Sequence, residues 1–231
     1  MSDDRTSPRV TTGSLRLGVL LSLTGGFLDA FTFLQHGGVF ATAQTGNLVL
    51  IGVQAATGQW SAALRHVPAL LAFVAGVATA ETILHPRVSP VVRRPRRAAL
   101  VAELVVLAGV GAMPRDVGST AIVVLVAYVS AMQNAMFNSL RRWSFNTVIA
   151  TGNLSTATRA AYRALVLGEP GAAEQARSFA AICMAFFSGA ILGAFATHQL
   201  GNSAAWLAAA LVVAALALFV IDEAWVRPGR A

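Results

Sequence analysis

Six stretches of the chain are apolar for long enough, or nearly so, to cross a hydrocarbon core that needs about 20 residues. They cover 17–35, 67–84, 98–113, 119–140, 178–198 and 204–221, the third being the shortest. Each predicts a helix apolar on all sides, as a membrane span requires. Two further stretches, 39–57 and 145–167, are less apolar and are interrupted by a polar Thr-Gly-Asn sequence. Whether these two also cross decides the topology.

Composition supports the membrane reading. Of 231 residues, 56% are apolar and 12% charged, and the mean hydropathy is +0.65. Soluble domains carry about 25% charged residues, so a soluble enzyme, a disordered chain and a disulfide scaffold are all excluded. The one cysteine, Cys183, permits no internal disulfide. All 17 basic residues are arginines. The net charge of +7 sits between apolar stretches, where the positive-inside rule and anionic lipid account for it and nucleic acid is not implied.

Arginine placement selects six spans. With a cytoplasmic N-terminus and neither Thr-Gly-Asn stretch crossing, only Arg65 and Arg115 fall outside. Eight crossings would move Arg87, Arg93, Arg94, Arg96, Arg97, Arg141 and Arg142 outside, against the charge bias of short loops. Arg5, Arg9 and Arg16 ahead of an apolar run, with Ala41-Thr42-Ala43 beyond it, resemble a cleaved leader. The recurrence of the segment later in the chain argues for a first span instead.

That recurrence is an internal repeat. Thr45-Gly46-Asn47-Leu48 returns 106 positions on as Thr151-Gly152-Asn153-Leu154. Asp29-Ala30 is matched by Asn134-Ala135 at an offset of 105, and Ala72-Phe73-x-x-Gly76 by Ala185-Phe186-x-x-Gly189 at 113. Three spans per half is an odd number, so the halves face opposite ways, as in many transporters. The resulting plan is a tail over 1–16, a first repeat over 17–113 that includes an Arg-rich linker at 86–97, an inverted repeat over 114–222, and a tail over 223–231.

Gly25-Gly26-Phe27-Leu28-Asp29-Ala30, Gly37-Gly38-Val39-Phe40 and Gln44-Thr45-Gly46-Asn47-Leu48 together resemble the signature of the YoaK-like bacterial membrane proteins, a domain-of-unknown-function family. The resemblance covers nearly the whole chain. It implies about six spans and an inner-membrane location, and carries no activity with it.

Within the motif, Thr45 or Asn47 is suited to cap a helix over 48–56 that Gly58 ends, and Asn153 to cap one over 154–167 ended by Gly168. These short helices either re-enter the membrane, aiming positive N-terminal ends at the midplane, or lie at the surface; Arg159 and Arg163, four apart, suit the surface in the second copy. Asp29, about 18 Å into the first span, must face a cavity or a partner. It is a proton or cation site, or a structural group fixing the Thr-Gly-Asn loop. Glu81 and Glu103 are expected to pair with the Arg-rich linker. His36 reads as interfacial, Gly189-x-x-x-Gly193 as a close helix contact within the chain or between copies, and Trp60, Trp143 and Trp225 as an interfacial belt.

Metalloprotease, hydrolase, phosphate-loop and Cys-x-x-Cys signatures are missing, so neither an enzyme nor a cofactor is expected. The partners expected are the lipid bilayer and a small polar solute or proton. The leading expectation is a channel or secondary transporter, with a site built from Asp29, Gln44, Thr45 and Asn47 of one half and Gln133, Asn134, Thr151 and Asn153 of the other. The alternative is a structural or regulatory subunit with no flux.

Overall fold

The computed structural model describes residues 14–88, 92, 94–114, 118–140, 143–144 and 150–226. Most of the two tails, Arg93, Arg115, Arg141, Arg142, the 145–149 part of the second Thr-Gly-Asn stretch and the side chains of Trp143 and Trp225 lie outside it.

The described chain is helical: α1 (Leu15–Gln35), α2 (Gln44–Ala56), α3 (Trp60–Leu64), α4 (Val67–Leu84), α5 (Pro95–Ala112), α6 (Ser119–Met136), α7 (Ala150–Leu165), α8 (Ala172–Leu200) and α9 (Ala205–Val226). Between α6 and α7, β1 (Ser139–Leu140) pairs antiparallel with β2 (Trp143–Ser144). The helix predicted to run to 140 therefore stops at Met136. Pro68 and Pro95 sit in the first turns of α4 and α5, where a missing N–H costs nothing. Gly37 and Gly38, with φ of 79° and 74°, turn the chain sharply after α1.

The short helices begin earlier than their polar residues suggested. α2 starts at Gln44 after Ala43, and no side chain of its own caps it; α7 starts at Ala150. Thr-Gly-Asn thus lies inside the first turn of each helix. The chain just ahead of α2 is held instead by side chains of α1, as described below.

Among the described residues, four helical stretches are long and apolar enough to cross a membrane: Leu15–Gln35, Trp60–Leu84, Ser119–Met136 and Ala172–Glu223. The last contains α8 and α9, folded back on each other at the 3-10 turn Gly201–Ala204. Large apolar side chains lie open on the outside, among them Leu71, Val74, Val105, Phe187, Phe195 and Val213. Such a surface suits lipid rather than water. The chain is a membrane protein.

The core gathers α1, α5, α6 and α9 around Leu21, Leu28, Leu107, Ile122, Val126 and Val212. Outside it, α8 lies along α1 and α4 along α6, the two most extensive pairings in the molecule. Both depend on glycine. A Cβ on Gly189 would strike the carbonyl oxygen of Leu23, and one on Gly193 the carbonyl of Phe27, so α1 and α8 run parallel at backbone contact. A Cβ on Gly76 would strike the carbonyl of Tyr128, and nearer the start of both helices Ala69 of α4 packs with Val123 of α6, so α4 and α6 also run parallel; the Tyr128 hydroxyl donates to Thr79 at 3.0 Å. Tyr128 stands 105 positions after Leu23, and Gly189 stands 113 after Gly76. These are the offsets of the sequence repeat.

Contacts at the helix ends fix the remaining directions. Arg96 at the start of α5 donates to the Met136 carbonyl at 3.1 Å, and Arg97 pairs with Glu223 at 2.7 Å. Gly111, near the end of α5, packs on Trp206 at the start of α9. Hence α1, α5 and α8 rise while α4, α6 and α9 descend. The end where α1 begins and α9 finishes is called proximal below, and the opposite end distal.

Candidate functional site

Asp29 lies in α1 six residues before its last residue, about 9 Å back along the axis. Its carboxylate is 4% exposed and faces the returning chain. The Thr42 N–H donates to Oδ1 at 2.7 Å, the Thr42 hydroxyl to Oδ2 at 2.6 Å and the Ala43 N–H to Oδ1 at 3.2 Å. One turn along, the Thr32 hydroxyl accepts the Ala41 N–H at 3.1 Å. Asn47 closes the remaining gap: its Oδ1 accepts the Phe40 N–H at 3.0 Å, and its Nδ2 donates to the Phe40 carbonyl at 2.7 Å and to Gln44 Oε1 at 2.9 Å.

Four successive backbone donors, Phe40 through Ala43, are thus each received by a side chain. Unpaired backbone groups away from water are costly, and this clamp removes that cost from a non-helical segment running back beside α1. The motif now reads physically. Gly37 and Gly38 make the reversal; Gly46, where a Cβ would come within 2.9 Å of the Phe40 ring, lets that ring lie on α2; Asn47 holds the backbone of Phe40. His66, at the start of α4, places Nδ1 3.1 Å from Asn47 Oδ1 and joins the network from the next helix.

Of the eight residues expected to form one site, Asp29, Gln44 and Asn47 are brought together here, with Thr45 exposed beside them. In the second half, Gln133, Asn134 and Asn153 are buried and Thr151 is exposed. α2 packs on α3 and α4, whereas α7 packs on α8.

Glu103, expected to pair with the Arg-rich linker, turns inward to Ser130 instead, and Arg97 pairs with Glu223. Glu103 is 1% exposed and lies midway along α5, within the buried stripe Ala99, Leu100, Leu107 and Val110. The Ser130 hydroxyl donates to its Oε1 at 3.4 Å; among the described residues its Oε2 has no partner. Gln133 stands one turn from Ser130 on α6, on the stripe Val126, Ser130, Gln133 and Phe137, and its Nε2 is also buried without a partner. Ser22 Oγ of α1 is a third such atom. The signal for Glu103 was available: a carboxylate inside an apolar stretch, like Asp29. Thr32, Thr42 and His66 carried no such signal, since their roles depend on contacts that only folding creates.

No curated protein and no solved structure matches the chain. A family model described as "Protein of unknown function (DUF1275)" matches residues 17–218, spanning the glycine-packed helices, the Asp29 clamp and the Glu103 seam, and the chain belongs to that family.

Proposed function

We propose that the protein is a channel or secondary transporter for a small polar solute, without enzymatic chemistry or a cofactor of its own. On this reading it crosses the bacterial inner membrane six times, through α1, α4, α5, α6, α8 and α9. Residues 17–113 and 114–222 form two inverted halves, and both termini are cytoplasmic. The paired helices support the inversion: exchanging the halves turns the α1–α8 contact into the α6–α4 contact and places glycine against backbone at matching positions.

One observation carries the transport reading. Glu103 of the first half and Gln133 of the second meet the seam with hydrogen-bonding capacity unused. A buried polar atom without a partner costs about 1–3 kcal/mol, and a static scaffold gains by pairing it. A site that takes and releases a polar solute must leave such atoms open. Glu103, Ser130 and Gln133 at the seam carry this reading; the remaining motif residues Asn134, Asn153, Thr151 and Thr45 are proposed to line the path to it. Asp29, Gln44 and Asn47 hold the start of α2 in place. A structural or regulatory subunit is the second reading, favoured by the way the bonds of Asp29 and Asn47 are satisfied within their own loop.

Reconstituted liposomes test this with a panel of polyols, amino acids and monocarboxylates. Flux of one class is expected, falling roughly tenfold or more, about 1.4 kcal/mol, in both Glu103→Gln and Gln133→Leu while each variant keeps its thermal stability. No flux for any class, or flux indifferent to both substitutions, would leave the subunit reading in its place.

A further inference from the structure

A second polar feature lies at the distal end. A cavity of about 240 Å³ is bounded by His36, Gly37 and Val39 after α1, Arg65 and Pro68 around the start of α4, and Ser119, Thr120 and Val123 at the start of α6. We infer that it binds a small oxyanion, a carboxylate or phosphate group, between Arg65, His36 and the first turn of α6.

The argument begins with His36. Its residue is 3% exposed, yet among the described residues neither ring nitrogen has a partner. The ring is held edge-on against Phe31, with centroids 5.0 Å apart. Burial pushes the imidazole down to about 4, so at neutral pH it is uncharged and offers one N–H donor and one bare nitrogen. A buried donor with nothing to donate to asks for a ligand at the cavity it borders.

The other walls set the sign of that ligand. Arg65 is exposed, and among the described residues its side chain makes one long hydrogen bond, Nη1 to the Gly37 carbonyl at 3.4 Å. Its remaining donors match the fork of a carboxylate or phosphate. α6, an 18-residue helix, begins at Ser119 after Gly118, and no side chain caps it. Its first N–H groups therefore present partial positive charge, flanked by the Ser119 and Thr120 hydroxyls. Among the described residues, no carboxylate lines the cavity. Drug-sized pockets run to about 300–1,000 Å³; this smaller space suits an acetate- or phosphate-sized group.

Diethyl pyrocarbonate, which acylates the bare nitrogen of a neutral imidazole, reports occupancy directly. The full-length protein is treated in detergent at pH 6, and modification of His36 is followed by mass spectrometry. Sodium acetate or sodium phosphate is expected to slow it severalfold, sodium chloride at equal ionic strength is not, and Arg65→Gln abolishes the protection. Protection by phosphatidylglycerol micelles alone, again lost in Arg65→Gln, would support the same oxyanion site with a lipid headgroup as its source. The inference is overturned if no oxyanion protects, if protection survives in Arg65→Gln, or if His36 does not react at all. Protection in the unaltered protein is read first and needs no variant. Because the assay involves no flux, its failure and that of the transport proposal are separable.

Discussion

Gly189→Val is expected to prevent stable folding. The new branched side chain would meet the Leu23 carbonyl of α1, a backbone atom that cannot rotate away. Overpacking of a rigid contact typically costs 1–3 kcal/mol, and here the strain must separate the most extensively packed helix pair in the molecule. A loss of about 3 kcal/mol or more is a large fraction of the margin on which most folds stand. Gly76→Val should behave alike, because Gly76 meets the Tyr128 carbonyl in the same way. Gly109→Ala is the control: open space surrounds that position, and alanine favours a helix over glycine by about 1 kcal/mol. Thermal unfolding in detergent, followed by size-exclusion chromatography, should rank the variants in that order. A Gly189→Val protein as stable as the parent would mean that α1 and α8 are not packed at backbone contact.

The second large effect belongs to Asp29. Asp29→Ala removes the acceptor of the Thr42 and Ala43 N–H groups and the partner of the Thr42 hydroxyl. Stranding two buried backbone donors costs roughly 3 kcal/mol or more in all. Asp29→Asn keeps one carbonyl oxygen facing both N–H groups, and its amide can donate to the Thr42 hydroxyl, so its cost is about 1 kcal/mol. Hydrogen exchange read at the Thr42 and Ala43 amides separates the two, with protection lost in the alanine variant and largely retained with asparagine. Equal protection in both would show that the carboxylate is not the clamp.

The order Ala, then Asn, then Asp also bears on what the sequence made legible. The long apolar stretches located six helices, and the α4 limits agree residue for residue with 67–84. It failed where polar residues serve contacts distant in sequence. Thr45 and Asn47 resembled local caps, but the backbone just ahead of α2, at Thr42 and Ala43, is held by Asp29, 13 and 14 positions earlier, and no local pattern announces a hold supplied by another helix. Asp29 was legible as a residue needing a partner, and its two readings differed only in what that partner would be. Glu103 was misread because nearby arginines in sequence offered an easy pairing, while the fold turns it inward to Ser130 and gives Arg97 to Glu223. The second copy of the loop is legible only in part, since 145–149 lies outside the described residues.

The central claim is that two similar halves cross the membrane in opposite senses. It is tested most directly by labelling paired cysteines in intact cells, in a Cys183→Ala background. Gln59, in the turn after α2, and Glu169, in the turn after α7, occupy comparable places in the two halves and are both exposed. Gln59 lies towards the distal end and Glu169 towards the proximal end, where α8 begins. An impermeant maleimide is expected to label Gln59→Cys from outside and to reach Glu169→Cys only after the membrane is opened. Labelling of both from the same side would contradict the inverted arrangement.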